Sequence, residues 1–214
     1  MTSLIMTNGE YRDAGWYEAR AKRYRCVICA DGGANWAKRF GIVPDLVVGD
    51  MDSISGEEYS YLEKKGVEFC PFPPEKDFTD TQLAMEIAAQ KGLKDITVWG
   101  GTGSRLDHTL ANILCAVFFV KNGMNIRFES PSVTIYFVTE SLLLPGDIGD
   151  TVSVLALGER AEGVSLTGFQ YPLNEVILEA NQPIGVSNII KDPGPLIRVS
   201  SGVLAVFHNH GPLD

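Results

Sequence analysis

"DITVWGGTGSRLDHTLANILCAVFFVKNG", residues 95–123, runs from a short apolar stretch through a glycine-rich loop into a long helical pattern. An apolar run of strand length followed by a helix of this length is one strand–helix unit. The same unit recurs upstream. "SLIMT" precedes the helical "DAGWYEARAKRY", and "CVICA" precedes "ANWAKRF", which closes at Gly41. "DLVVG" precedes "GEEYSYLEKKG", and "VEFC" leads through a proline-rich loop to "TDTQLAMEIAAQKG". In that last helix Leu83, Ile87 and Ala88 carry the spacing of a half-buried face. Strand–helix alternation predicts an α/β domain with a mostly parallel sheet and helices on its faces.

From Asn125 the texture changes. "VTIYFV", "TVSVLALG", "GVSLTGF", "EVILEA", "IGVSNII", "LIRVSSG" and "VLAVFHNH" are short β-rich runs separated by turn residues such as "LPGD", "ALGE" and "KDPGP". This predicts a small antiparallel all-β sandwich or barrel. The expected division is 1–124 for the α/β domain and 125–214 for the β domain.

The chain has 214 residues, 45% of them hydrophobic, enough for a substantial core in one or two domains. A net charge of −9 argues against nucleic acid and against a polybasic membrane patch, because both need Lys and Arg facing phosphates. "MTSLIMTNGEYRD" lacks a basic n-region and a long apolar run, so no targeting segment is expected. "ILCAVFFV" at 113–120 is far shorter than the roughly 20 residues of a membrane helix. Cys26 and Cys29 form a C-x-x-C within a strand-like run, where residues three apart face opposite sides. They are read with Cys70 and Cys115 as free thiols, which points to a reducing, cytoplasmic setting.

In a parallel sheet the loops leaving the carboxyl ends of the strands share one edge, where ligands bind. "ADGGAN" (30–35), "GDMDS" (49–53), "EKDFTDTQ" (75–82) and "GGTGSRLDH" (100–108) all fall in such loops. Asp31, Asp50, Asp52, Asp77, Asp80 and Asp107 therefore converge, with Arg105 among them. Asp50 and Asp52, two apart, point the same way on an extended chain and repel by roughly 1–4 kcal/mol at 4 Å. A divalent cation makes such a cluster favourable, and Mg²⁺ is held by carboxylates together with phosphates and water. Gly-rich loops and helix N-termini supply N–H groups to phosphates, and Arg105 supplies a planar cationic fork. The combination points to a Mg-nucleotide or another polyphosphate.

Plainer readings stand beside this one. "TDTQ" (79–82) matches a capping box with Thr79 as N-cap, which makes Asp80 a first-turn acid favoured by the helix dipole. Asp107 suits an N-cap, His108 a packing or capping group, and the glycines around Gly101 a tight loop. His208 and His210 read as surface residues. The sequence holds no G-x-x-x-x-G-K-[ST], no complete G-x-G-x-x-G and no His/Cys spacing for structural zinc.

"ADGGANWA", "PDLVVGDMDSI", "KDFTDTQLA" and "GGTGSRLDHTLANI", in this order and spacing, resemble the thiamine pyrophosphokinase family in its bacterial form. "GFQYPL" followed by "GVSN" resembles that family's β-rich thiamine-binding region, so the likeness spans roughly residues 26–207. The resemblance implies a Rossmann-like catalytic domain and a thiamine-binding β domain. It implies an ATP:thiamine pyrophosphotransferase using Mg²⁺, and a homodimer with its active site at the subunit interface. Carried onto this sequence, Asp50, Asp52 and Asp80 match metal ligands, and Asp31, Gly32 and Gly33 a nucleotide loop. Asp77 and Thr79 match the loop lining the phosphates, while Arg105 and Asp107 match a pair at the reacting polyphosphate, next to Gly101 and His108. Asp80 and Asp107 are candidate bases, and Ser187, Asn188 and Tyr171 match thiamine contacts. Lys76 departs from the polar uncharged residue of some relatives. Competing readings are a Mg-dependent phosphohydrolase with Asp50 as nucleophile, a pyrophosphokinase for another alcohol, and a non-catalytic thiamine or nucleotide binder.

Overall fold

The computed structural model describes residues 2–73 and 78–210. Asp77 and Lys76 lie outside the described residues. The chain divides into two compact units, one holding the residues up to Phe119 with Gly123–Ser130, the other Val120–Asn122 with the residues from Pro131 onward.

The first unit alternates strand and helix: β1 (Thr2–Met6), α1 (Ala14–Ala21), β2 (Val27–Ala30), α2 (Gly33–Arg39), β3 (Leu46–Gly49), α3 (Gly56–Lys64), β4 (Glu68–Pro71), α4 (Asp80–Gln90), β5 (Asp95–Trp99), α5 (Leu106–Lys121) and β6 (Asn125–Glu129). The strands lie in the order β4-β3-β2-β1-β5-β6, each pair parallel. The unit thus takes in residues 125–129, which the sequence reading gives to the β domain. Their β-rich composition matches that of the later strands, but Ile126 pairs with Ile96 as part of a sixth parallel strand.

β2 and β3 are buried along their whole length, as expected of strands covered on both faces. Leu4, Met6, Val27, Cys29, Val47 and Trp99 form one core with Tyr17, Ala37 and Leu62 from α1, α2 and α3 and with Phe40, the C-cap of α2. The intervening Ile5, Ile28 and Val48 are equally buried and point to the opposite face. The crossover from β4 to β5 runs opposite in direction to those from β1 to β4. Right-handed crossovers therefore put α4 on that second face, where it lies against β2 and β3 with Leu83, Ala84, Met85 and Ala88 buried. Three helix starts are capped by side chains that accept backbone N–H groups: Asp13 from Trp16 (3.1 Å), Ser55 from Glu58 (3.2 Å) and Thr79 from Gln82 (3.2 Å). Each cap contributes about 1 kcal/mol. The sequence reading of Thr79 as N-cap is thereby met.

Every cysteine is a free thiol. Cys29 is buried, which pushes its thiol well above the usual range, and burial pushes Cys115 up to about 11. Among the described residues no helix is long and apolar enough to cross a membrane.

The second unit is antiparallel: β7 (Val133–Val138), β8 (Ser141–Leu143), β9 (Thr151–Thr167), β10 (Leu173–Glu179), β11 (Asn188–Ile189), β12 (Leu196–Arg198) and β13 (Ser201–Asn209). β9 belongs to two sheets. Its first half pairs with β13 and β11, and its second half pairs with β10 and β12. Val152, Val154, Leu204 and Val206 from one sheet meet Val164, Leu166, Leu178 and Ile197 from the other in a single core. "TVSVLALG" and "GVSLTGF" are thus one strand, where the glycine signals between them indicate a turn. Gly158 and Gly163, with φ of 111° and 64°, let the chain pass from one sheet to the other.

His208 corrects the expectation of a surface residue. Its strand β13 is central, between β7 and β9, and the side chain is buried with Nε2 2.7 Å from Asp150 Oδ2. His210 reaches Thr134 Oγ1 at 2.9 Å.

Candidate active site

β1 and β5 are neighbours from which the chain order runs outward in opposite directions. The crevice at such a switch point is where open parallel sheets bind ligands. A cavity of about 520 Å³ lies there, walled by the loops after β1, β2 and β5 and by the N-termini of α4 and α5.

The walls depend on backbone approaches that only glycine allows. A Cβ on Gly33 would sit 2.1 Å from the Met6 carbonyl oxygen, and one on Gly9 would sit 1.9 Å from the Gly100 oxygen. Gly33 therefore lets α2 start against β1, with Gly32 as its N-cap residue, and Gly9 seats the β1 loop on the β5 loop.

On the Asp31 side the carboxylates of Asp31, Asp50 and Asp52 bring one oxygen each within 4.8 Å of the others. Two residues hold left-handed backbone to achieve this, Asp31 at φ 45° and Met51 at φ 65°. The Asp31 N–H donates to the Val48 carbonyl at 2.7 Å, which fixes the first loop against β3. The Asp52 N–H donates to Asp50 Oδ1 at 3.2 Å, closing a tight turn. Ser53 Oγ lies 2.7 Å from Asp31 Oδ2 and 3.1 Å from Asp52 Oδ1. With one proton, it can donate to only one of them at a time. Asp31 Oδ1 is buried and has no hydrogen-bond partner. An all-oxygen, triply anionic set with one orphaned oxygen fits a hard divalent cation.

Asp80 is not in that trio. It opens α4 and lines the cavity with Asp31, Thr79 and Gly101. The Asn112 side chain donates to the Gly101 carbonyl at 3.0 Å, tying the β5 loop to α5. Arg105 and His108 complete that wall. Arg105 makes a two-point contact with Asp107, Nε to Oδ1 at 3.2 Å and Nη2 to Oδ2 at 2.5 Å. That hydrogen-bonded contact holds the Asp107 carboxyl down to about 2, so it stays ionised at any working pH. Asp107 lies inside the first turn of α5, not at its cap, since the helix starts at Leu106.

The loop after β1 is a part of the site that the sequence reading misses. Glu10 Oε1 accepts the Ser104 N–H at 2.8 Å, and Arg12 binds Glu10 Oε2 through Nη2 at 2.9 Å. These hydrogen bonds hold the Glu10 carboxyl below its ordinary value. A signal for it exists: "TNGE" is a polar, glycine-containing loop after a strand, like the other loops of that edge.

Tyr171, Ser187 and Asn188 gather in the second unit. Asn188 is 4% exposed, and its amide faces inward. Oδ1 accepts the N–H of Tyr171 (3.0 Å) and of Ile189 (2.9 Å), while Nδ2 donates to the Tyr171 carbonyl (2.7 Å). Tyr171 is 61% exposed, and Ser187 is exposed with φ 56°.

Comparison with known proteins matches residues 17–128 to "Thiamin pyrophosphokinase, catalytic domain" and residues 141–204 to "Thiamin pyrophosphokinase, vitamin B1 binding domain". The chain is 29% identical over 171 residues to a thiamine pyrophosphokinase of Bacillus subtilis, covering 79% of this chain and 80% of that one. It is 25% identical over 205 residues to thiamine pyrophosphokinase 1 of Oryza sativa, covering 84% and 76%. The crystal structure of thiamine pyrophosphokinase from Bacillus subtilis superposes with a TM-score of 0.85 at 25% identity, covering 99% of this chain and 100% of that one. A family protein from Enterococcus faecalis shares the fold, with a TM-score of 0.83 at 24% identity and coverage of 99% and 100%. Both parts of the family pattern are met in order along one chain, the catalytic part over more than half its length, and the chain belongs to the thiamin pyrophosphokinase family.

Proposed function

We propose that this chain transfers the pyrophosphoryl group of ATP to thiamine, giving thiamine diphosphate and AMP. The thiamine hydroxyl oxygen attacks the β-phosphorus, the bond from that phosphorus to the α-phosphate oxygen breaks, and the hydroxyl proton is lost to a base or to water. The observation that carries this reading is the carboxylate trio of Asp31, Asp50 and Asp52, whose Asp31 lines the same cavity as Arg105. Transfer of this kind depends mainly on positioning and charge stabilisation.

Asp31, Asp50 and Asp52 would hold Mg²⁺, which when bound withdraws charge from the polyphosphate. Asp80, expected from the sequence as a third ligand, stands outside the trio but lines the same cavity as Asp31. Arg105 neutralises phosphate oxygens with the guanidinium that Asp107 orients. Gly32, Gly33, Thr79 and Gly101 form the phosphate-facing backbone, with His108 beside them. The first unit is the ATP domain, and the second binds thiamine through Tyr171 and Ser187, behind which Asn188 braces the loop. An anionic site also attracts the thiazolium cation.

We further propose a cytoplasmic homodimer with its active site at the subunit interface. Leu106, Leu110, Leu114 and Phe118, four apart on α5 and all more than half exposed, support it, since such a stripe is apolar surface a second copy could cover. The test is to incubate the protein with ATP, Mg²⁺ and thiamine and identify the products. AMP with thiamine diphosphate is expected. ADP with thiamine monophosphate, or inorganic phosphate alone, would refute the assignment.

A further inference from the structure

His208 and Asp150 form a buried polar pair that lines no part of the candidate active site. The His208 side chain is 2% exposed and that of Asp150 is 13% exposed. Because a carboxylate only accepts, His208 Nε2 carries the proton in this contact. Nδ1 is buried without a partner, so this ring serves Asp150 alone among its hydrogen-bonding options. A buried polar group left half satisfied costs stability, and a polar interaction retained at that cost calls for a role.

The same carboxylate oxygen of Asp150 accepts the Asp147 N–H at 3.0 Å and so closes the turn before β9. That turn is laced to residues 188–190. Gly149 N–H donates to the Ile190 carbonyl (2.9 Å), Ile190 N–H donates to the Asp150 carbonyl (3.0 Å), and Ile189 pairs with Thr151. Gly146 leaves the room that Ile190 and His208 occupy. A Cβ there would lie 2.6 Å from Ile190 Cδ1 and 2.8 Å from His208 Nε2. From residue 188 the connection continues to Tyr171 through the two-way contact of the Asn188 amide with its backbone. Ser187, one residue earlier, is held in left-handed backbone and donates its N–H to Ser153 Oγ at 3.0 Å.

We propose that His208 and Asp150 are a positioning pair that sets Ser187 and Tyr171 for the thiamine acceptor. The path runs His208, Asp150, the 188–190 backbone, then the Asn188 amide to Tyr171. It rests on the reading of Ser187 and Tyr171 as thiamine contacts. His208 touches no substrate and acts only through the loop it fixes.

The test compares His208→Leu with His208→Gln, which keeps an N–H donor. Steady-state kinetics are read for both substrates, and backbone hydrogen exchange is read without substrate. His208→Leu should raise the KM for thiamine about 10-fold, the size expected when a buried polar group loses its partner, with the KM for ATP changed by less than about 2-fold. Exchange should quicken at Gly149, Ile190 and Tyr171, and His208→Gln should restore most of both effects. If His208→Leu does not fold, Asp150→Asn keeps the shape and removes the charge, and it should shift the same amides in the same direction. A folded variant with both KM values and these amides unchanged would overturn the proposal, as would an equal rise in both KM values. Quickened exchange at Tyr171 in a protein whose Ser187→Ala variant leaves the thiamine KM unmoved would instead overturn the thiamine reading and leave the coupling standing.

Discussion

Replacing Asp50 by Asn separates the electrostatic cost of the acidic trio from its use. Asn keeps the Oδ1 that accepts the Asp52 N–H, so the turn survives while one charge goes. At the 4.8 Å limit of the cluster, each carboxylate pair repels by about 3.5 kcal/mol at an effective dielectric near 20 and about 0.9 kcal/mol in bulk water. Asp52 is exposed and Asp50 only half-buried, so the weaker end applies. Removing two such pairs should stabilise the metal-free protein by about 2 kcal/mol. For a chain of this size that raises the melting temperature by about 4–8 °C. The assay is thermal unfolding in excess EDTA and again in millimolar Mg²⁺. Wild type should melt lower in EDTA than the variant and gain stability with Mg²⁺, because an ion that binds only the folded state stabilises it by mass action. The variant should gain nothing from Mg²⁺ and turn over no substrate. A variant that melts below wild type in EDTA, or that keeps the Mg²⁺ gain, would refute the assignment of Asp50 to a cation site.

Arg105→Lys should lower kcat by about 10²-fold, because a point charge cannot make the fork's two-point contact, and a kcat within about 2-fold of wild type would count against the role. Because Asp107 is held down to about 2, its ionised state is favoured by folding above the ordinary carboxylate value near 4, and that preference fades only as pH falls through about 2. No loss of activity between pH 5 and 4 should therefore trace to Asp107, and Asp107→Asn should leave any such acid limb in place. Gly33→Ala would force its methyl toward the Met6 carbonyl, costing about 1–3 kcal/mol, visible as a lower urea midpoint. Ser187→Ala should raise the KM for thiamine more than that for ATP, and equal effects would count against a thiamine role for the second unit.

The parallel sheet is legible in the sequence because its strands are short, apolar and punctuated, and because each helix carries its own spacing. Local signals and tertiary demands agree there: Thr79 caps α4 as its sequence neighbours indicate. The acidic loops are legible through topology, since every loop after a parallel strand reaches the same edge. The same logic applied to β1 finds Glu10, whose contact with Ser104 joins residues 94 apart. Asp31's place in the trio is not legible from local pattern. It depends on a left-handed backbone and on how far β2 and β3 project, neither of which residue spacing encodes. The second unit is less readable for the same kind of reason. Glycines at 158 and 163 look like turn signals, yet they serve a strand that bends between sheets. His208 and His210 share a strand face by periodicity, but burial is decided by β13 lying between two neighbours.

The strand shared by both sheets has a consequence for how the second unit comes apart. Melting either half of β9 removes the partner that fixes register in the other, so neither sheet has a private opening reaction. β13, β10 and β12 should lose their slowest-exchanging amides together, as one cooperative block, instead of peeling off strand by strand.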